Sequence, residues 1–276
     1  MAWSLVAELA DTADTAPIAT DPRFIQPALT AVQIAISEAS RDRSSPPSFV
    51  VGLSMGEVAA AHCAGILSTQ DAMAVVCVQA ELTAHTLRPG KMVFARAGRG
   101  PVERALAVGQ GRAVLAVTLA PELSVVSGER TAVDAVAAEL HSSGVMVGPL
   151  PIGFAFHSPE MAALSGPFMD RLAALRPQTG ALPMYSSATG GCVQGTDLHA
   201  EHWWRIMSGP ALFDGVIGSL LDLGEVFFAE INPEPLLADA IRDIARPRGV
   251  APTVVATMSR RTDTEIWPQS TVHEPE

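Results

Sequence analysis

The chain has 276 residues, of which 48% are apolar, and its formal net charge is −11. This length allows one large α/β domain with an insertion or two small domains, and the composition is that of a globular enzyme rather than a disordered or fibrous protein. With only 18 lysines and arginines, the chain lacks the basic surface that nucleic acid binding requires. Neither a membrane span nor a signal peptide is found, so we expect a cytoplasmic protein with no nucleic acid or membrane partner.

The first ninety residues alternate between helix-like and strand-like patterns. Residues 1–10 look like the end of a helix, and apolar residues recur at helical spacing from 24 to 40. The short apolar segment 49–53 has helix breakers before it, which is typical of a strand buried on both faces. Helices are predicted from about 55 to 64 and again from about residue 69, where Ser68 or Thr69 can cap the helix.

The pattern changes after Pro89-Gly90. Strand-like and helix-like segments then follow in the order β-α-β-β-α-β, which is that of ferredoxin-like folds. We therefore predict an α/β fold in which a hydrolase-like, parallel-sheet large subdomain, residues 1–90 and 155–258, carries an inserted ferredoxin-like small subdomain, residues 91–154. Residues 259–276 have no periodicity and are predicted to be a mobile tail.

Ser54 is the central residue of the pattern Gly-Leu-Ser-Met-Gly, between the predicted strand and the next helix. A strand, then G-x-S-x-G, then a helix is the arrangement that raises a serine hydroxyl above a sheet. The main-chain N–H of Met55, at the start of the helix, would face a developing oxyanion. The pattern alone is equally compatible with a tight turn whose serine only caps the helix.

A serine nucleophile needs a base, and His157 in Phe-Ala-Phe-His-Ser-Pro is the best candidate. It stands where a predicted strand ends and a helix begins, so its ring can point into a cleft at the edge of a sheet. The three cysteines are odd in number and too widely spaced for a zinc pattern, so we expect free thiols and no metal site.

Five segments in chain order resemble malonyl-CoA:acyl-carrier-protein transacylases and the acyltransferase domains of modular polyketide synthases: GLSMGEVAAAHCAGILSTQDA, VVSGERTAVDAVAAEL, FAFHSPEM, EHWWRIMSGPALFDGVI and EINPEPLL. The resemblance implies ping-pong transfer in polyketide or fatty acid biosynthesis. Ser54 would take an acyl group from a thioester and pass it to the thiol of an acyl carrier protein. His157 would be the base, oriented by a main-chain carbonyl at or near Asn232, with no metal or redox cofactor.

Four further residues are assigned to substrate binding through the resemblance. Gln79 replaces the arginine that binds the malonyl carboxylate in the family, and Leu53 replaces the histidine before the serine. Gln26 belongs to a matching segment before the serine, and Phe156 stands where malonyl-selective members have phenylalanine. Because glutamine carries no charge, we predict an uncharged acyl group, acetyl or another monocarboxylic group, rather than malonyl.

Family members usually begin with a strand and a Gly-Gln-Gly loop that supplies a second oxyanion donor, whereas the given sequence starts beyond that segment. Loss of one such donor costs on the order of 10² to 10³ in rate, so we expect weakened activity unless the donor comes from elsewhere. Two alternatives stay open. One is a serine thioester hydrolase, and the other is a catalytically impaired relative that docks a carrier protein through a basic patch of Arg205, Arg242, Arg246 and Arg248.

Overall fold

The computed structural model describes residues 4–10, 21–41, 46–86, 90–224 and 226–258. The predicted tail, 259–276, lies outside these ranges. The α-helices within them are α1 (Leu5–Ala10), α2 (Pro22–Arg41), α3 (Gly56–Cys63), α4 (Thr69–Thr86), α5 (Arg99–Ala105), α6 (Arg130–Ser142), α7 (Ser165–Leu172), α8 (Ala200–Ser208), α9 (Phe213–Leu221) and α10 (Ala238–Ala245). The strands are β1 (Val50–Gly52), β2 (Gly90–Ala95), β3 (Ala113–Ala120), β4 (Leu123–Glu129), β5 (Val147–Pro149), β6 (Met184–Ser186), β7 (Gly191–Val193), β8 (Ala211–Leu212), β9 (Phe227–Glu230) and β10 (Thr253–Ala256).

The ferredoxin-like insertion consists of β2-α5-β3-β4-α6-β5. Its strands lie in the order β5-β2-β4-β3, with every neighbouring pair antiparallel, and α6 buries Val133, Val136 and Leu140 in the core of this unit. The predicted fold class, an α/β protein with a ferredoxin-like insertion, is therefore confirmed. The division at residues 90 and 155 stays a prediction, although β2 begins at Gly90 and β5 ends at Pro149.

The parallel sheet predicted for the large subdomain takes the form of two small sheets. In one, β1 pairs in parallel with β6, which pairs antiparallel with β7; in the other, β9 and β10 are parallel. Phe49 joins the two sheets, because its ring meets Tyr185 and Phe228 edge-on, with ring centroids 5.9 and 6.4 Å away. Strand β8 adds in parallel to β3 of the insertion, so the segment after α8 connects the two subdomains.

Helix α3 is enclosed between α2 and α4, both of which pack against it. Its alanine-rich sequence allows this close approach, and its buried residues are Glu57, Val58, Ala60 and Ala61. Helix α8 is held by Trp203, which is 1% exposed and whose indole N–H donates to the Leu198 carbonyl at 2.9 Å. Helix α3 is therefore a rigid support for the segment that precedes it, and helix α8 for the segment that follows it.

Two expectations from composition concern cysteines and membranes. Among the described residues, Cys63 and Cys77 are partly buried and Cys192 is exposed, with no disulfide assigned to them. In the described ranges, we find no helix with the length and apolar character needed to cross a bilayer.

Candidate active site

Ser54 occupies a sharp turn between β1 and α3. Its φ is 52°, in the left-handed region that residues with a Cβ rarely adopt. Gly52 makes the turn possible, because a Cβ at that position would lie 2.3 Å from Cα and 2.5 Å from the main-chain nitrogen of Glu57. Strand and helix thus meet with no room for a side chain, as in the serine turn predicted from the sequence.

His157 contacts Ser54 directly. Ser54 Oγ lies 2.8 Å from His157 Nε2, and His157 Nδ1 lies 2.9 Å from the main-chain oxygen of Gly209. A carbonyl oxygen can only accept, so Nδ1 carries the proton and Nε2 accepts the hydrogen bond of the serine hydroxyl. The imidazole is therefore in the tautomer that can take the serine proton.

The backbone around His157 is fixed from both subdomains. Its φ is 61°, its main-chain N–H donates to the Met207 carbonyl at 2.8 Å, and the preceding carbonyl, that of Phe156, accepts the Ser127 hydroxyl of β4 at 2.5 Å. Met207 and Gly209 belong to the C-terminal end of α8. The histidine is thus held in position mainly by main-chain groups.

The sequence-based assignment of Asn232 as the orienting residue is corrected. The carbonyl that accepts from His157 belongs to Gly209. Asn232 instead accepts a hydrogen bond from Gln33 Nε2 at 3.3 Å and donates to the Glu234 carbonyl. Asn232 therefore connects the turn after β9 to α2, and the sequence around Asn232 gives no sign of this distant partner.

Met55 is placed at the helix start, as the oxyanion prediction requires. The main-chain N–H groups of residues 56 to 58 each donate to the carbonyl three residues earlier. In the part of the chain that the structure describes, the Met55 N–H has no such partner. It is therefore available to a ligand beside Ser54, and its oxyanion role stays a prediction.

Burial controls the charge state of His157. The side chain is almost inaccessible, and this burial lowers the pKa of the imidazole from its ordinary value of 6.5. The hydrogen bond to the Gly209 carbonyl and the negative charge of Glu57 act in the opposite direction. The ring is consequently neutral near pH 7, which is the state required of a base.

Gln79 and Gln26, both assigned to substrate binding, form a hydrogen-bonded pair. Gln79 Nε2 donates to Gln26 Oε1 at 3.1 Å, and both residues are buried. The pair joins α4 to α2, the two helices that enclose α3. The position where the resemblance expects an arginine therefore holds two neutral amides.

Leu53 and Phe156 directly precede Ser54 and His157 in the sequence and share one apolar environment. Both are partly buried against the same cluster, which is formed by Met92, Ala116, Val117, Val125 and Ala211. This cluster belongs to the insertion and to β8. The two residues thus place an apolar wall at the boundary between the subdomains, and their substrate-binding roles stay predictions.

A cleft of about 440 Å³ opens beside His157. Its other lining residues are Val114, Leu115, Ser158, Pro159, Ala162, Trp204, Ser208 and Pro210, with no lysine or arginine among them. A second depression of about 240 Å³ shares Leu115 and Pro210 with the first and extends to Arg99. The two depressions are therefore neighbours, and the first of them reaches His157.

The arginines proposed as a carrier-docking patch are mostly neutralised by neighbours. Three of the four form ion pairs with aspartates on the same surface: Arg242–Asp239 at 2.9 Å, Arg246–Asp243 at 2.9 Å and Arg248–Asp222 at 3.5 Å. The local charge of these segments is therefore close to balanced, and they offer little attraction for an acidic partner.

Two buried groups behind the serine turn were not identified from the sequence as part of the site. Glu57 and Ser187 are both fully buried. Ser54 N–H donates to Ser187 Oγ at 3.4 Å, and the Ser187 hydroxyl donates to Glu57 Oε1 at 2.7 Å. Glu57 is visible in the motif, but Ser187 reaches the site only because β6 pairs with β1, which the local sequence does not reveal.

Known proteins resemble this chain over most of its length. A family profile described as "Acyl transferase domain" matches residues 4–271. The spectinabilin polyketide synthase system protein NorA' of Streptomyces orinoci is 34% identical over 237 residues, which is 86% of this chain but 6% of that protein. Erythronolide synthase EryA2 of Saccharopolyspora erythraea is 31% identical over 236 residues, 86% of this chain and 7% of that protein.

Solved structures agree with the sequence matches. The acyltransferase domain from module 8 of the salinomycin polyketide synthase has a TM-score of 0.90 at 31% identity, covering 95% of this chain and 62% of that one. A loading acyltransferase from the avermectin modular polyketide synthase has a TM-score of 0.89 at 30% identity, and the match covers 96% of this chain and 83% of that one.

Proposed function

The chain belongs to the acyl transferase domain family, and on this premise we propose that it moves an acyl group from a thioester of coenzyme A or a carrier protein to an acyl carrier protein, through an acyl-Ser54 intermediate. The observation that carries this proposal is the 2.8 Å contact between Ser54 Oγ and the acceptor nitrogen of His157. Nucleophile, base and an orienting carbonyl are the parts that nucleophilic acyl transfer needs.

The chemistry proceeds in two half-reactions. In the first, Ser54 Oγ attacks the thioester carbonyl while its proton moves to His157 Nε2; the carbon–sulfur bond then breaks and the departing sulfur takes that proton. In the second, the carrier thiol gives its proton to His157 and attacks the acyl-serine, and Ser54 Oγ leaves and regains the proton. The Met55 N–H would stabilise the oxyanion in both steps, and no metal or redox cofactor takes part.

The acyl group is proposed to be uncharged. The Gln79–Gln26 pair offers a malonyl carboxylate only neutral amides, and a buried charge without an ionic partner costs several kcal/mol. The cleft beside His157 likewise has no lysine or arginine among its lining residues. Leu53 and Phe156 add apolar surface, which suits an acetyl or other monocarboxylic group.

We expect acetyl to be loaded in preference to malonyl. With equal concentrations of acetyl-CoA and malonyl-CoA, the acetyl adduct on Ser54 should exceed the malonyl adduct at least tenfold, measured by mass spectrometry of the intact chain. Gln79→Arg should shift this ratio towards malonyl by about tenfold or more, because it restores a charge-assisted hydrogen bond. Gln70→Arg, an exposed position on the same helix α4, is the matched control and should leave the ratio unchanged; preferential malonyl loading of the wild type would contradict the uncharged-acyl proposal.

The acid limit of acylation, the pH at which the rate falls to half as the solution is acidified, should lie below the ordinary histidine pKa of 6.5. Acylation requires neutral His157, and burial lowers the pKa of this group below 6.5, so activity is retained as the pH falls through 6.5 and is lost only at lower pH. The measurement is the rate of acyl-Ser54 formation at subsaturating acetyl-CoA over about three and a half pH units around 6.5, from roughly pH 4.5 to 8. A midpoint above 6.5 would indicate that a different group limits the reaction.

A further inference from the structure

A buried chain of hydrogen bonds runs behind the serine turn. It starts at the Ser54 main-chain N–H, passes through the Ser187 hydroxyl and ends at Glu57 Oε1. The Ala188 main-chain N–H donates to the same carboxylate oxygen at 3.1 Å. The order of donors is unambiguous, because a carboxylate only accepts and an N–H only donates.

The buried carboxylate is costly and therefore informative. Glu57 has no exposed surface, and removing a carboxylate from water costs several kcal/mol even after relaxation. Its second oxygen lies 3.3 Å from His202 Nε2 of α8, but among the described residues it has no partner in hydrogen-bonding geometry. An apolar side chain would fill the same space without this penalty, so packing alone does not account for the residue.

The first effect of the chain is on the backbone of Ser54. The left-handed conformation of a residue with a Cβ costs roughly 1–2 kcal/mol, so it persists only where its surroundings hold it. The angle φ is the rotation about the bond from Ser54 N to Cα, and the Ser187 hydroxyl fixes the direction of that N–H. Ser187 is in turn kept in place by its own donation to Glu57.

The second effect is electrostatic. The negative charge of Glu57 favours the protonated form of His157, in opposition to burial. During both half-reactions His157 briefly carries a proton on each nitrogen, and this positive charge arises in a water-poor site where a fixed counter-charge is effective. His202 of α8 is a titratable group in contact with Glu57, with its Nε2 3.3 Å from the second carboxylate oxygen.

From these contacts we infer that Glu57 and Ser187 are positioning residues for acyl transfer: Ser187 holds the Ser54 backbone in the reactive turn, and Glu57 holds Ser187 in place. This inference rests on the proposed acyl-Ser54 chemistry. It assigns no contact with substrate to either residue.

The test compares three variants by the rate of Ser54 acylation from acetyl-CoA as a function of pH. Ser187→Ala removes the bridge but keeps the carboxylate, so the rate should fall about 10- to 100-fold, the range expected from small misplacement of a reacting group, without a shift of the acid limit. Glu57→Gln keeps an acceptor for Ser187 but removes the charge, so the acid limit should move to lower pH.

Ser186→Ala is the matched control. Ser186 is also fully buried and its Oγ accepts the Ala188 N–H at 3.1 Å, so the substitution removes a buried hydroxyl next to the network without breaking the link to Ser54. Its acylation rate should stay within about threefold of wild type. Thermal unfolding of each variant, followed by circular dichroism, separates loss of folding from loss of positioning.

The outcomes separate the inference from the proposed function. If the wild-type chain forms no acyl-Ser54, the proposed function fails. If the wild type is acylated but Ser187→Ala matches Ser186→Ala and the acid limit of Glu57→Gln is unmoved, the positioning inference is overturned. Should Glu57→Gln fail to fold, the comparison of Ser187→Ala with Ser186→Ala decides.

Discussion

Replacement of His157 by alanine is expected to slow acylation of Ser54 by on the order of 10⁴ to 10⁶-fold, the range found when one member of a serine–histidine–aspartate triad is removed. The reason is that His157 Nε2, 2.8 Å from Ser54 Oγ, is the acceptor placed to receive the serine proton. The rate is measured in a single turnover with excess enzyme and labelled acetyl-CoA, by following label transferred to protein.

His141→Ala provides the control for this experiment. His141 is exposed near the end of α6, so its replacement should leave the acylation rate within about twofold of wild type. Because His157 is buried, the unfolding midpoint of both variants should be measured alongside. Retention of more than about a hundredth of the wild-type rate in a folded His157→Ala variant would show that another group accepts the proton.

Replacement of Gly52 by alanine should damage both the fold and the reaction. The added Cβ would lie 2.3 Å from Glu57 Cα, and because the neighbour is main chain, it can be accommodated only if strand β1 and helix α3 move apart. We expect a loss of about 1–3 kcal/mol in the free energy of unfolding and a decrease of about 10²-fold in acylation rate, since the turn that presents Ser54 would shift.

Gly56→Ala, in the same five-residue motif, is the matched control for stability. A Cβ at Gly56 meets nothing within 4 Å, and alanine favours the helix over glycine by up to about 1 kcal/mol. The two substitutions add the same methyl group four residues apart, so urea unfolding should show opposite signs. Equal stabilities for the two variants would contradict the close approach of β1 and α3.

The parts of the fold that could be predicted are those encoded locally. Apolar runs, helical periodicity and Pro-Gly breaks located the strand before Ser54, the helix after it and the order of elements in the insertion. The Gly-x-Ser-x-Gly turn was predictable for the same reason, since the glycines and the serine act within one turn of chain. The fold class followed from the order of these elements.

The contacts that complete the site depend on pairing between distant segments. Gly209 orients His157 through a main-chain carbonyl, which every residue possesses, so no residue type marks it in the sequence. Ser187 reaches Ser54 because β6 pairs with β1, and the register of such a pairing is set by the tertiary structure. Asn232 was misassigned because the packing of α8 decides which carbonyl accepts from His157. The sequence of the turn around Asn232 does not encode that packing.

The acyl-enzyme itself is the most direct test of the account. The intact chain is incubated with acetyl-CoA, its mass is measured, the modified peptide is identified, and the adduct is then followed in buffer with and without an acyl carrier protein bearing phosphopantetheine. We predict one acetyl group on the peptide that contains Ser54, discharged faster by the carrier thiol than by water. Absence of the adduct, or its attachment at another residue, would contradict the account, and equal discharge with and without the carrier would identify a hydrolase instead.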